Sequence, residues 1–443
     1  MVIKVGIVSL GCPKNEVDAE LLAGFLKQSG YSIVDVATNA DVIIVNTCGF
    51  INAAKQESID TILNLARLRK NNAPPYILVA GCLSQRYGRE LLQEMDEIDG
   101  VMGTNEVASV AQVVDRVLSG ERVLAVGAEN SFHQDHRVRD RLHFSPTAYV
   151  KVAEGCVNCC SYCAIPDIRG PFRSRPMEPI ISEVEGLVRT GVKEIILVAQ
   201  ETTRYGLDLY GEYKLAELLR RSAAVDGLKW LRFLYSYPTS VTEDLIKVIA
   251  EESKICNYID LPLQHASNAI LSRMNRRGSK EDILHLIDKL RSSVPNLTLR
   301  TTFIVGFPGE TEADFQELLE FMGRVKFERA GVFAYSAEEG TPAASMPDQV
   351  PEDVKQAREK EAMLLQQEIS DANNRLKIGQ EVEVLVEGFD EIQGTYYGRT
   401  AADAPEIDGQ VFFSANRVVA PGELVPVRIN QADEYDLTGE LVL

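Results

Sequence analysis

The spacing of apolar positions changes character along the chain. Over about the first 140 residues, short continuous apolar runs at Val5–Leu10, Val42–Val45 and Ile77–Ala80 alternate with stretches of helical period at Glu16–Gln28, Ala53–Arg69 and Arg86–Met95. Continuous runs suit strands buried on both faces, and a 3.6-residue period suits helices. The alternation predicts a parallel α/β sheet domain. It continues with apolar runs at Tyr149–Val152, Ile195–Val198, Leu231–Tyr235, Tyr258–Leu263, Leu299–Val305 and Gly331–Ala334. Amphipathic stretches separate them at Ile180–Arg189, Leu215–Arg221, Asp244–Ala250, Glu281–Leu290 and Ala313–Met322. Six such units suit a partial (β/α)6 barrel, whose working residues sit at the carboxyl ends of the strands. Near Arg375 the helical period stops. Five short alternating segments follow, at Glu381–Val386, Gly394–Arg399, Gln410–Phe413, Leu424–Ile429 and Leu437–Val442, punctuated by Gly, Pro, Asn and Asp. They predict a small antiparallel β-barrel of the oligonucleotide-binding type. The expected fold class is α/β multidomain, divided at 1–140, 141–372 and 373–443.

Between the first two regions, Glu129–Pro146 is polar and aperiodic and holds His133, His136 and His143. A metal site there is conceivable, but a solvated linker explains the composition without one. A chain of 443 residues, 45% hydrophobic and 25% charged, has the length of two or three domains and an ordinary soluble composition. No apolar run is long enough to span a membrane, and Met1–Gly6 reads as a first strand rather than a signal peptide. The expected location is the cytoplasm, with no membrane partner. In that reducing compartment eight cysteines point to ligands rather than disulfides.

The cysteines are distributed in a pattern. Cys12, Cys48 and Cys82 each follow one of the first three strands, with Gly11, Gly49 and Gly81 beside them. The ligand site of a parallel sheet lies beyond those strand ends, so residues far apart in sequence can meet there. Three unrelated buried cysteines would be the bland alternative. Cys156, Cys160 and Cys163 directly follow the first barrel strand in a Cys-x3-Cys-x2-Cys spacing. Three thiolates cannot saturate an iron–sulfur cluster, and the iron left over is open to chemistry. Structural zinc would want a fourth ligand, and no histidine lies within ten residues. Cys159 could replace Cys160; the Cys160 register is preferred because it aligns Tyr162 and Cys163 with a known family. Cys256 reads as a small core residue.

These motifs and the order of the three regions resemble the methylthiotransferases of the radical S-adenosylmethionine superfamily, over essentially the whole chain. The resemblance implies two 4Fe–4S clusters, one on Cys12, Cys48 and Cys82 and one on Cys156, Cys160 and Cys163. S-adenosylmethionine would serve as methyl donor and radical source, and the third region would be a TRAM domain. By the same resemblance Tyr162 lies beside the adenine, Gln200 and Gln264 end strands at the cofactor, and Gly306 lets backbone approach the adenine. The stretches Gln200–Gly206, Leu261–Ser267 and Asp403–Gly409 look like the branch that places a methylthio group on the β-carbon of an aspartate of ribosomal protein S12. Sister branches modify adenosine in transfer RNA, which is the alternative. An electron-transfer iron–sulfur protein would be expected to carry saturated four-cysteine sets. A nucleic-acid-binding module with structural metal would need a basic face. A sulfur donor and an electron donor would be further partners.

Charge bears on that choice. The net charge is −19. From Asn374 to Leu443 thirteen acidic residues face five basic ones: Arg375, Lys377, Arg399, Arg417 and Arg428. Nucleic-acid binding draws its affinity from Lys and Arg, so nucleic acid is not expected as the primary substrate. A basic ribosomal protein would be steered to an acidic surface, here expected to include Asp403, Glu406 and Asp408. The target carboxylate still needs a local cation, for which Arg204 is the candidate.

Overall fold

The computed structural model describes residues 2–36, 39–69, 74–127 and 138–442. The first region runs β1 (Lys4–Ser9), α1 (Pro13–Gln28), β2 (Ser32–Val34), β3 (Val42–Thr47), α2 (Asn52–Ala66), β4 (Tyr76–Gly81), α3 (Cys82–Glu94), β5 (Gly100–Met102), α4 (Val110–Leu118) and β6 (Val123–Ala125). All six strands are parallel, in the order β2-β1-β3-β4-β5-β6. The three longest are the three predicted. The other three have three residues each, too few to register as apolar runs. Every residue of β3 is buried, as its unbroken apolar pattern requires. The order reverses between β1 and β3, and such a switch point opens a crevice at the carboxyl ends.

The second region contains β7 (Thr147–Lys151), β8 (Ala153–Glu154), α5 (Ile165–Arg169), β9 (Arg173–Ser174), α6 (Met177–Arg189), β10 (Glu194–Val198), α7 (Leu207–Tyr210), α8 (Leu215–Ala223), β11 (Trp230–Phe233), α9 (Glu243–Glu251), β12 (Tyr258–Asp260), α10 (Asn268–Arg273), α11 (Lys280–Ser293), β13 (Thr298–Val305), α12 (Glu312–Val325), β14 (Arg329–Ala334) and α13 (Glu352–Arg375). Its six barrel strands form two parallel three-stranded sheets, β11-β10-β7 and β12-β13-β14. Backbone bonds such as Ser236 N–H to Asp260 O (3.0 Å) join them, while β7 and β14 remain outer edges. The barrel is therefore open, and α1 of the first region packs on β7. Helix starts are specified locally: Ser279 and Thr311 make capping boxes with Asp282 and Asp314.

The third region, β15 (Glu381–Asp390), β16 (Thr395–Arg399), β17 (Val411–Ser414), β18 (Leu424–Ala432) and β19 (Leu437–Leu441), closes in the order β15-β16-β17-β19-β18. One pairing, β17 with β19, is parallel. A closed ring of five strands cannot alternate direction throughout, so the expected small antiparallel barrel carries one parallel seam. This barrel sits under the amino ends of the larger barrel's strands. Arg399 donates to Glu194 (2.7 Å) and Thr147, at the starts of β10 and β7. Arg329, first residue of β14, binds Asp403 (2.6 Å), and the Tyr258 hydroxyl, at the start of β12, donates to Asp408 (2.6 Å).

Two expectations change here. Asp403 is buried, and Asp408 is engaged by Tyr258 and Arg300. Both are struts between barrels rather than surface charge, and of the expected trio Glu406 alone is exposed. The linker is not solvated throughout. Its histidines His133 and His136 lie outside the described residues. Beyond them Val138 is buried, and Arg139 bridges Glu20 of α1 and Glu183 of α6. Cys256 is buried in the core, as expected.

Candidate functional site

Cys12 is the N-cap of α1, Cys48 follows β3, and Cys82 opens α3 directly after β4. Close backbone contacts draw the three loops together. A Cβ on Gly11 would stand 2.8 Å from Cys48 Cβ, and one on Gly49 would stand 2.7 Å from the Leu83 backbone and 2.9 Å from the Cys82 carbonyl carbon. Gly11 also has φ +90°, so glycine is required there twice over. Ser58 fixes the Cys48 loop by accepting from its N–H (3.2 Å) and donating to its carbonyl (3.0 Å).

Arg169, at the end of α5, reaches this sheet from the larger barrel. Its Nε and Nη2 donate to Cys82 Sγ at 3.3 and 3.2 Å, Nη2 also donates to Asn15, and Nη1 donates to Asp18 (2.7 Å) and Glu154 (3.4 Å). Lys151 donates to the same two carboxylates at 2.5 and 2.6 Å. Burial alone would raise the Glu154 carboxyl, but Lys151 and Arg169 outweigh it and hold it low. Gln200, beyond the end of β10, donates to the other Glu154 oxygen (2.6 Å). One buried chain of hydrogen bonds thus runs from Cys82 to Gln200.

The second cysteine loop follows β8. A Cβ on Gly155, at φ +77°, would stand 2.2 Å from Pro171 O and 2.4 Å from Gly170 O, and Cys156 N–H donates to Gly170 O (3.1 Å). Cys163 N–H donates to Cys160 O (3.0 Å), which tightens the turn. Cys156, Cys160 and Cys163 lie close enough to feel one another's charge, whereas Cys159, at φ +48°, is exposed. Burial pushes the Cys156 thiol up to about 11, Cys163 to about 12 and Cys82 to about 11, the last against the pull of Arg169. Thiols so weakly acidic ligate by yielding their protons to a metal's charge.

Around this loop Tyr162 meets Phe307 edge-on at 6.5 Å and accepts from Arg276, which also contacts Cys160 Sγ (3.9 Å). Gln200 Oε1 and Gln264 Oε1 are buried without a hydrogen-bond partner, and Gln264 holds φ +75°. Two orphaned buried acceptors are what a bound ammonium group would satisfy. A Cβ on Gly306 would meet Lys355 Cγ at 2.3 Å, so packing of α13 already demands that glycine. Arg204 is half-buried on the turn Thr202–Arg204, near enough to Glu201 to lower its pKa against the dominant effect of burial.

The donor chemistry fits two clusters. Each set offers three thiols and no fourth ligand, and among the described residues no His, Cys, Asp or Glu trio closes on a single ion. A cluster spreads its ligands over separate irons, so thiols at its corners need not converge on a point. The strand pattern places all six cysteines at strand ends but gives no sign of Arg169, Lys151 or Glu154, nor of Tyr235, whose ring centre lies 3.4 Å from the Lys14 ammonium. Lys14 alone carried a hint, standing two residues after Cys12.

Residues 4–103 match the uncharacterized protein family UPF0004, residues 150–322 the radical SAM superfamily and residues 378–442 the TRAM domain. The chain is 56% identical to the ribosomal protein uS12 methylthiotransferase RimO of Pelotomaculum thermopropionicum, over 100% of both chains. It is 53% identical to that of Desulforamulus reducens and 48% to that of Clostridioides difficile, each over 99% of both chains. The fold is similar to the radical S-adenosylmethionine methyltransferase TsrM of Kitasatospora setae, solved with cobalamin and a [4Fe-4S] cluster (TM-score 0.57, 15% identity, 77% of this chain and 74% of that one).

Proposed function

The chain belongs to the family of ribosomal protein uS12 methylthiotransferases, and on that footing we propose that it attaches a methylthio group to the β-carbon of an aspartate of ribosomal protein uS12. Its cofactors are S-adenosylmethionine and two 4Fe–4S clusters. Cys12, Cys48 and Cys82 hold one cluster, and Cys156, Cys160 and Cys163 hold the other. Bound there, these groups would carry the sulfur to be transferred and would supply the methyl group and the radical that breaks an unactivated C–H bond, a task beyond any side-chain base near neutral pH. The observation that carries the reading is the pair of three-thiol sets at strand carboxyl ends in two folding units, joined by the buried chain from Cys82 to Gln200.

The protein's own part is binding, orientation and exclusion of water. Gln200 and Gln264 accept from the ammonium of S-adenosylmethionine with their orphaned amide oxygens. Tyr162, held by Arg276 and Phe307, lines the adenine side. Glu338, just beyond β14, is buried and receives Lys55 (2.8 Å) and Arg86 (3.0 Å) of the first region. That clamp ties the first region to the larger barrel. Sulfur and electrons come from separate donors, and the reaction takes place in the cytoplasm.

A protein substrate rather than RNA is supported by the fate of the third region's cations. Arg375, Arg399, Arg417 and Arg428 are each paired with a carboxylate, and burial lowers the Lys377 pKa. Among the described residues there, no basic footprint is left over for a phosphate backbone.

The reconstituted protein, offered both uS12 and unmodified transfer RNA, should give methylthio-aspartate by mass spectrometry. Methylthio-adenosine with an untouched protein would overturn the reading. Replacing Cys156, Cys160 and Cys163 by Ala should remove about half the iron and abolish S-adenosylmethionine cleavage. Replacing Cys12, Cys48 and Cys82 should remove the other half and abolish the product while cleavage persists.

A further inference from the structure

Lys14 is a buried cation without a carboxylate. It lies on the first turn of α1, two residues after Cys12, and is 8% exposed. Every other buried Lys or Arg among the described residues lies within ion-pair distance of an Asp or Glu. Lys14 instead holds its ammonium 3.4 Å from the centre of the Tyr235 ring, beyond β11. A cation–π contact offsets only part of the desolvation of an ammonium group. Cys12 and Tyr235, on either side, are partly exposed, while Lys14 itself is buried. A desolvated charge without a carboxylate, faced within the chain by Tyr235 and Cys12 alone among groups that can carry negative charge, sits at the seam where the two cysteine-bearing regions meet and is poised for an anionic ligand.

We propose that Lys14 is the specificity-determining residue that takes the carboxylate of the substrate aspartate. The inference rests on the functional reading above and adds to it the group that recognises the side chain. Methylthio transfer to the β-carbon leaves the carboxylate intact, so that group can be gripped throughout the reaction. The β-carbon is one bond from it, and anchoring it on Lys14 holds the acceptor carbon beside the Cys12 set. Arg204 is the weaker candidate because Glu201 already lies within reach of its charge. An adenosine base carries no carboxylate, so Lys14 would also disfavour RNA.

The test uses the reconstituted full chain, uS12, and uS12 with its target aspartate changed to asparagine. The wild-type enzyme should bind the asparagine form roughly ten- to a hundredfold more weakly, as for loss of a charged hydrogen-bond partner. Lys14→Met should keep its full iron content, bind uS12 weaker by a similar factor, and no longer distinguish the two substrates. Equal binding of both forms by the wild type would overturn the proposal without any variant. So would Lys14→Met retaining the discrimination. Loss of iron in Lys14→Met would also overturn it, because Lys14 would then serve the cluster. If the wild type leaves the aspartate of uS12 unmodified, the functional reading itself fails, whatever Lys14 does.

Discussion

The two ends of the larger barrel treat buried polar groups in opposite ways. At the amino ends of its strands, under the small barrel, Glu194 is fully buried and receives Arg232 (2.9 Å) and Arg399 (2.7 Å). The guanidinium of Arg232 also lies over the Tyr258 ring at 4.4 Å. Charges there are matched within the chain. At the carboxyl ends, Lys14 lacks a carboxylate, and the amide oxygens of Gln200 and Gln264 lack donors. A buried group left unmatched costs stability. Unmatched atoms also occur at the amino ends, at Arg232 Nη1 and Nη2, but that guanidinium keeps its carboxylate, whereas Lys14 has none and is left for a group from outside the chain. The contrast separates scaffold from site more sharply than burial does, since both ends are buried.

The most drastic way to break the contrast is at a thiol. Cys160→Ala should lose about half the iron, whereas Cys159→Ala should keep all of it, as read by iron assay and electron paramagnetic resonance. The reverse would shift the ligand register by one residue. At the opposite end, Arg399→Met removes one partner of a buried pair and should cost about 3–5 kcal/mol in denaturant unfolding. A cost under about 1 kcal/mol would mean that Glu194 is not held as argued. Between the ends, Arg169→Gln should cost about 1–3 kcal/mol through Asp18 and Glu154. It should also change the resonance signal of the cluster proposed at Cys82 and leave the other unchanged; an unchanged signal would confine Arg169 to scaffolding.

The smallest effect concerns Glu16, whose burial beside Glu20 and Glu406 lifts its carboxyl from 4.5 to about 7. The folded chain then binds this proton more tightly than the unfolded one. Stability from this group is present at acid pH and falls as pH rises from about 4.5 to about 7. Glu16→Gln should match the wild type near pH 4 and exceed its melting midpoint by about 2–4 °C at pH 8. Equal melting at both pH values would remove Glu16 from the account.

Three regions and six cysteines were legible in the order of the residues because each depends on local facts. A long buried strand needs an unbroken apolar run, as in β3, and a helix needs its 3.6-residue period. Thiols at strand ends inherit their position from the strand that precedes them. Strands β2, β5 and β6 were not legible, because three residues carry no period and are stabilised by their neighbours in the sheet. The sequence by itself also established the acidic balance of the third region, but not where the acids point. Asp403 and Asp408 proved to be internal because their partners Arg329 and Tyr258 lie far away in the chain. Arg169 meets Cys82 across 87 residues, and Lys14 meets Tyr235 only where two folding units touch. Which charges are matched and which are left for a ligand depends on desolvation and on distances of a few ångströms. Those are properties of packed elements, and no pattern along the chain records them.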